Sequence, residues 1–143
     1  MTMQSFANQV VALANSEVKG ITNLELQKVM YFALGSYIKE NGINDFVKNL
    51  YNEPFEAWPY GPVIRSVYFE HKINGRSKIN YNPEYNSNLS VLDSFIKQYL
   101  GRPIRELVNK SHEHKLWKEN ISQIMNHNLI EYKLEDIRDA FIN

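Results

Sequence analysis

The sequence has 143 residues, 43% of them hydrophobic and 13% aromatic, and its sixteen basic residues are balanced by sixteen acidic ones. This length and composition favour one folded domain over residues 1–143, while the zero net charge disfavours a duplex-binding protein, which needs a basic surface. The chain has no cysteine, no signal-peptide pattern and no apolar run near the roughly 18 residues of a membrane span, so we expect a cytoplasmic protein without disulfides, thiolate zinc sites or membrane contact.

Helical periodicity dominates the first third of the chain, and we predict a mainly α, compact single-domain fold of several helices around one buried helix. Apolar residues recur at helical spacing from about Ser5 to Asn15. The next helix covers about residues 22–41, because Thr22 and Glu25 form a capping-box pattern and Asn41-Gly42 is a typical stop. Its apolar residues cover most of its circumference, which predicts the central core helix.

Prolines and polar residues interrupt the middle of the chain. After a connection or short helix over residues 43–51, Pro54, Pro59 and Pro62 break regular structure, since each fixes φ and removes a donor. Pro62 is suited to the first position of the helix that follows. Residues 74–88 are rich in Asn and long for a connection inside a domain, which predicts a polar loop with room for a short β-hairpin.

Helical patterns return after this loop. An amphipathic helix is predicted from Leu89 to Leu100, and Pro103 opens a short helix after it. A helical pattern continues over residues 117–125, and a final helix covers residues 134–142. Internal repeats and interdomain linkers are absent from the pattern, in agreement with one domain.

Signatures of catalysis are absent from the sequence. It contains no Gly-rich phosphate loop, no HExxH and no nucleophile elbow. His112 and His114 are two ligands where zinc needs three or four, so we expect no metal, no cofactor and no enzyme activity. We interpret His112 as a structural residue near Trp117 and His114 as solvent-facing; a histidine-dependent metal hydrolase stays an alternative that elemental analysis would test.

The most unusual segment is Phe55–Pro62, FEAWPYGP, which combines a carboxylate, two large aromatic residues and a Gly-Pro pair. Trp58 and Tyr60 give a large contact area for little rotamer entropy, which is typical of a binding anchor. Arg65 and Glu70 would then form part of a polar rim, and these four residues are our candidate partner contacts. A turn folded onto the core, with a solvated charged face beside it, explains the same residues.

Two polar residues near this segment are interpreted as structural. Gln27 lies amid the apolar residues of the central helix, which predicts a buried amide whose hydrogen bonds are met by the turn at residues 55–61. Glu56 is expected to pair with Arg65 or Lys28 and to fix the segment. A general-base role is disfavoured, since no second acid or nucleophile stands at a recognisable spacing.

Three separated blocks of the sequence resemble one known family. They are Leu26–Ala33 (LQKVMYFA), Glu53–Tyr68 (EPFEAWPYGPVIRSVY) and the pair Ser111-His112 followed by Trp117. In this order they resemble the Panacea domain of SocA-like antitoxins, also called GepA-like phage-associated proteins. That family shows an LQKLLYFA-type helix, an ExFEAWxxGPVxxxVY block and an (S/T)HxExxW-like element. Where the family has a Glu two residues after the His, this chain has His114.

The resemblance implies a mostly α-helical antitoxin that neutralises a toxin encoded beside it by direct protein contact. For the founding member it implies an adaptor that presents the toxin to a cytoplasmic protease, and it places many members in prophages or other mobile elements. A DNA-binding regulator of its own operon is the alternative function, although no helix-turn-helix with a basic recognition helix stands out. The family-motif residues that we interpret as structural are Gln27, Tyr31, Glu56, Trp58, Gly61, Pro62, Tyr68, His112 and Trp117.

Overall fold

The computed structural model describes residues 1–142, which are predominantly helical as predicted. The helices are α1 (Met3–Glu17), α2 (Asn23–Asn41), α3 (Asp45–Leu50), α4 (Arg65–His71), α5 (Asp93–Tyr99), α6 (Ile104–His112), α7 (Lys115–Lys118), α8 (Ile121–Met125) and α9 (Leu134–Ile142). Short 3-10 helices cover Lys72–Asn74 and Ser87–Leu92, and an antiparallel hairpin joins β1 (Glu56–Trp58) to β2 (Gly61–Val63).

Helix α2 lies at the centre of the fold, as its apolar pattern predicts. Its start is fixed by a capping box in which the Glu25 amide donates to the Thr22 hydroxyl and the Thr22 amide donates to the Glu25 carboxylate. It ends before Gly42, whose φ of 76° suits glycine. Its neighbours are α1, α4, α5, α6, α9 and β2. Its fully or nearly fully buried residues include Leu26, Val29, Met30, Tyr31, Phe32, Ala33, Leu34 and Ile38.

One hydrophobic cluster extends from Met3 in α1 to Ile137 in α9. The polar loop predicted over residues 74–88 is fastened to it through the fully buried amide of Gln9. The Gln9 carbonyl accepts a hydrogen bond of 2.8 Å from the Asn86 amide, and its Nε2 donates one of 3.0 Å to Asp93. A buried side-chain amide with both ends satisfied holds the loop at little cost to the core.

The hairpin lies at Glu56–Val63 rather than in the loop at residues 74–88. In that loop β-type pairing amounts to an isolated bridge between Lys78 and Thr22. Pro62 lies within β2, opposite Ala57, and does not open the following helix, which begins at Arg65. The fixed φ of proline is compatible with a strand as well as with a helix start, so the residue type alone could not distinguish the two.

The C-terminal helices occur in the predicted order, but two of them are each divided into two shorter helices. The helix predicted from residue 89 to 100 is a 3-10 helix followed by α5, and the pattern over residues 117–125 is divided between α7 and α8. Helix α9 has the predicted bounds and packs on α2 where Gly35 leaves room for Phe141; a methyl group at Gly35 would overlap that ring. None of the helices in residues 1–142 is long and apolar enough to cross a membrane.

Candidate functional site

The hairpin turn, Trp58–Pro62, is tied from its inner side to helices that come from distant parts of the sequence. The indole Nε1 of Trp117 in α7 donates a hydrogen bond of 2.8 Å to the carbonyl of Trp58. Lys28 Nζ in α2 donates one of 2.6 Å to the carbonyl of Pro62. Buried carbonyls need such donors, and here side chains supply them. The first and third sequence blocks therefore meet on the second.

His112 completes this inner side. Its ring stacks on Trp117 with a centroid distance of 3.7 Å and an interplanar angle of 10°. Burial lowers the pKa of His112, the nearby Pro59 carbonyl opposes that effect, and the charge of Lys28 adds to it. Its Nε2 is buried without a hydrogen-bond partner among the described residues. The ring is neutral under ordinary conditions and serves as a packing surface for the indole.

Gly61 is the point where the turn approaches the helices most closely. Its φ of 108° is a conformation that residues with a side chain rarely adopt. A Cβ atom at this position would also lie 2.6 Å from the hydroxyl of Ser111 and 2.9 Å from Cε of Lys28. Both the backbone angle and the space therefore require glycine here.

Lys28 is the least expected residue of the site, because it is fully buried. Desolvation lowers its pKa from 10.5 to about 7, so the neutral amine is a substantial form at physiological pH. The structure gives Lys28 the Pro62 carbonyl as its hydrogen-bond partner, and Glu56, which was predicted to pair with Arg65 or Lys28, pairs with Arg65. A family-motif lysine thus acts as a hydrogen-bond donor inside the protein.

Glu56 forms a two-pronged ion pair with Arg65 at 2.9 and 2.8 Å and also accepts a hydrogen bond of 3.1 Å from Nε1 of Trp58. Burial alone would raise the pKa of Glu56, but the hydrogen bonds from Arg65 and Trp58 and the guanidinium charge outweigh burial and lower it. The Arg65 guanidinium also lies over the Trp58 ring, 5.5 Å from its centroid. The ion pair therefore fixes the orientation of the indole.

Gln27 is fully buried and belongs to a relay of side-chain amides. Its carbonyl accepts a hydrogen bond of 2.8 Å from the amide of Ile64, just after β2, rather than from residues 55–61. Its Nε2 donates to Asn23, and the Asn23 amide donates to the carbonyl of Tyr68 in α4. The relay connects α2 to the start and the body of α4, and so positions that helix beside the hairpin.

The prediction that His114 faces solvent is wrong. Its Nδ1 lies 2.6 Å from the hydroxyl of Tyr31, and its ring packs against Phe32 and Phe141. Burial lowers the pKa of His114 and raises that of Tyr31, so both groups are neutral and the imidazole accepts a hydrogen bond from the tyrosine hydroxyl. A carboxylate in this place, as in the family pattern, could accept the same hydrogen bond.

The outer side of the hairpin forms one wall of a cleft of about 390 Å³, here called the aromatic cleft. Its lining includes Leu24, Trp58, Tyr60, Tyr68, Ile124 and Leu129. Tyr60 is 68% exposed and Leu129 is 64% exposed, so both present apolar surface to solvent in the same cleft. Three of the four predicted contact residues, Trp58, Tyr60 and Arg65, lie together here. Glu70 does not: it accepts a hydrogen bond from Gln4 of α1.

The opposite wall of the aromatic cleft was not foreseen from the sequence. The segment at residues 130–132 pairs with the second edge of β1: the Ala57 amide donates to Ile130 at 2.8 Å and the Tyr132 amide donates to Phe55 at 2.9 Å. This pairing carries Leu129 to the cleft. The local sequence gave little sign of this pairing: Leu129 and Ile130 are an apolar pair after a polar stretch. Their partner strand, β1, lies more than 70 positions earlier in the sequence.

A second, larger cleft of about 860 Å³ lies between α2, α5, α7 and α9. Its rim carries both acidic and basic residues, and His114 lies in its wall. Within residues 1–142, no three His, Asp or Glu side chains are grouped closely enough to share a metal ion. Both clefts expose apolar surface, but the lining of the aromatic cleft is much less polar, as in the core of a protein interface.

The three blocks that build this site are those of an antitoxin domain. The chain belongs to the family described as Antitoxin SocA-like, Panacea domain, whose model matches residues 26–118 and thus covers every family-motif residue discussed above. Over 55 residues the chain is 44% identical to Antitoxin SocA of Caulobacter vibrioides (strain NA1000 / CB15N). That stretch is 38% of this chain and 27% of the relative, so the match spans about a quarter of the relative's length. No solved structure matches the chain.

Proposed function

We propose that this protein neutralises a toxin encoded beside it by direct protein–protein contact at the aromatic cleft. The family supports an antitoxin role. The observation that carries the contact is the exposed apolar surface of Tyr60, on a hairpin whose inner side is anchored by Lys28 and Trp117, together with that of Leu129 on the opposite wall of the cleft. Such a surface loses little conformational entropy when a partner docks, which favours binding.

The proposal extends to a second partner, a cytoplasmic protease to which the toxin is delivered. An adaptor must hold two proteins at once and therefore needs two separate surfaces. The aromatic cleft and the larger cleft share no lining residue, which supports such an arrangement. Toxin and protease would both act in the cytoplasm, and so would this protein.

We also propose that residues 1–143 act as one Panacea-like unit. The family match covers residues 26–118, but the hydrophobic cluster joins Met3 before it and Ile137 after it to the matched helices. Removing α1 or α9 would expose parts of that core, so the unit that binds the toxin includes both.

The test is co-expression of this protein with the neighbouring gene, followed by a pull-down of the purified pair. We expect toxicity of that gene alone, relief by the wild-type protein, and loss of both relief and binding with Trp58→Ala or Tyr60→Ala. Tyr81→Ala, which removes an exposed tyrosine away from the cleft, is the matched control and should act as the wild type does.

Two outcomes would contradict the proposal. One is a neighbouring gene that is harmless, or whose toxicity this protein does not relieve. The other is relief that survives both cleft variants while thermal unfolding shows that they remain folded. A gel shift with the upstream DNA tests the regulator alternative, which predicts binding that weakens steeply with salt.

A further inference from the structure

Helix α4 presents a stripe of alternating charge and apolar surface beside the aromatic cleft. Arg65 and Phe69 are spaced at i and i+4 on one face of α4, and Lys72 begins the 3-10 helix that directly follows it. The Arg65 guanidinium lies 6.0 Å and the Lys72 ammonium 5.4 Å from the centroid of the Phe69 ring. Phe69 is 51% exposed and lies 6.4 Å from Trp58, so the stripe continues the cleft.

The carboxylates around this stripe are already used within the protein. Glu56 is paired with Arg65, and Glu53 accepts hydrogen bonds from the amide and the hydroxyl of Ser66. Glu70 accepts one from Gln4 and stands on another face of α4. Of these three carboxylates, Glu56 is paired with a cation, whereas Glu53 and Glu70 are held by neutral donors at the border of the stripe and keep their negative charge.

The cations of the stripe are less completely used. Among residues 1–142, the Lys72 ammonium has an aromatic face as its neighbour and no hydrogen bond or carboxylate, and Nη1 of Arg65 makes no hydrogen bond. The unpaired Lys72 ammonium beside the exposed Phe69 ring, together with the free Nη1 of the paired Arg65, can still bind carboxylates from outside. The surface is therefore complementary to an apolar group flanked by negative charge.

We infer that the toxin surface recognised here is acidic and presents one large apolar side chain, which enters the aromatic cleft while neighbouring carboxylates pair with Arg65 and Lys72. This inference rests on the proposed function. A nucleic acid fits less well, because the cleft is lined by aliphatic groups such as Leu24, Ile124 and Leu129, and the chain has zero net charge. Opposite charges across an interface act mainly on the association rate and on specificity.

The test measures association of the full chain with the purified product of the neighbouring toxin gene by stopped flow at low and high salt. Lys72→Glu is the main variant, because Lys72 has no structural hydrogen bond to lose. We expect it to slow association about fivefold or more at low salt, with a smaller effect at high salt where charges are screened. Lys48→Glu, an exposed residue of α3 with the same change of charge, should stay within about twofold of the wild type.

The outcomes separate this inference from the function on which it rests. Toxin that binds and is neutralised, with Lys72→Glu no slower than Lys48→Glu or with association independent of salt, overturns the inference and leaves the proposed function standing. Toxin that does not bind the wild-type protein overturns both. Binding of upstream DNA that Lys72→Glu abolishes would assign this face to nucleic acid and overturn the inference as well.

Discussion

The two sides of the hairpin turn differ in what surrounds them. On the inner side, Lys28, His112 and Trp117 are packed against the backbone of the turn, and Gly61 leaves no free space. On the outer side, Tyr60 is largely exposed, and so is Leu129 on the opposite wall of the aromatic cleft. Most of the family-motif residues are divided between the two sides: Gly61, Pro62, His112 and Trp117 hold the hairpin from the inner side, while Gln27, Glu56, Trp58 and Tyr68 line the aromatic cleft. The family motif thus contributes both to the anchored inner side and to the surface that we propose for partner contact.

The largest expected effect comes from adding a methyl group on the inner side. Gly61→Ala imposes a strained φ and an overlap with Lys28 and Ser111, and should lower the free energy of unfolding by about 3 kcal/mol, measured by urea denaturation. Gly75→Ala is the matched control, since Gly75 also has a positive φ but open space around it, and should cost about 1 kcal/mol. Equal losses of unfolding free energy for the two variants would mean that Lys28 and Ser111 leave room for a methyl group at Gly61.

The second prediction concerns the buried amine of Lys28 and is a gain in stability rather than a loss. Because folding lowers the pKa of Lys28 from 10.5 to about 7, the unfolded chain binds more protons between these values, and stability should rise as pH increases from 7 to 9 by roughly 2 kcal/mol. Tyrosines with raised pKa values act in the other direction only above about pH 10, outside this interval.

Lys28→Met should remove this rise with pH and should stabilise the protein at pH 7 by roughly 2 kcal/mol, after the loss of the hydrogen bond to Pro62 is subtracted. Chemical denaturation at pH 7, 8 and 9 measures both quantities. Lys48→Met, at an exposed site, should change neither by more than about 0.5 kcal/mol. A destabilised Lys28→Met variant with an unchanged pH dependence would contradict a desolvated amine.

The smallest effect is expected away from the hairpin, at the hydrogen bond between Tyr31 and His114. Tyr31→Phe should lower the free energy of unfolding by about 1 kcal/mol, and His114→Gln, which keeps an acceptor, should lower it by less.

Burial lowers the pKa of His114, so the unfolded chain takes up the proton first as pH falls below about 6.5, and the stability of the protein falls as well. His114→Gln should weaken that fall; a variant with the wild-type acid profile would assign the dependence to other histidines.

Local patterns predicted the elements whose determinants are close together in the sequence. The start of α2 depends on Thr22 and Glu25, and the bounds of α9 follow its apolar spacing, so both agree with the structure. The hairpin was predicted within residues 74–88 but lies at Glu56–Val63. There β1 is also paired along its other edge by residues 130–132, and a partner so distant in sequence gives no local sequence pattern. Pro62 also led to a prediction of a helix start, because proline is common at that position, whereas the structure places it in β2.

The residue types of the candidate site could be predicted from the sequence, but the positions and burial of some of its residues could not. Trp58, Tyr60 and Arg65 were identified from residue type, and the structure groups them. Glu70 was included because it is near them in sequence, yet its position on α4 turns it toward α1. The burial of Lys28 could not be inferred either, since a lysine in a helix is exposed in most proteins and its burial depends on the hairpin that covers it.

The tryptophans of the chain have a practical consequence. The sequence contains two, Trp58 and Trp117, and a hydrogen bond between them joins the outer and the inner side of the turn. All indole fluorescence therefore originates at this one place. A docked toxin would cover the half-buried Trp58 and change the emission, while Trp117, stacked on an imidazole, would respond to acid quenching. The protein therefore carries an intrinsic fluorescent probe at the surface that we propose for partner contact.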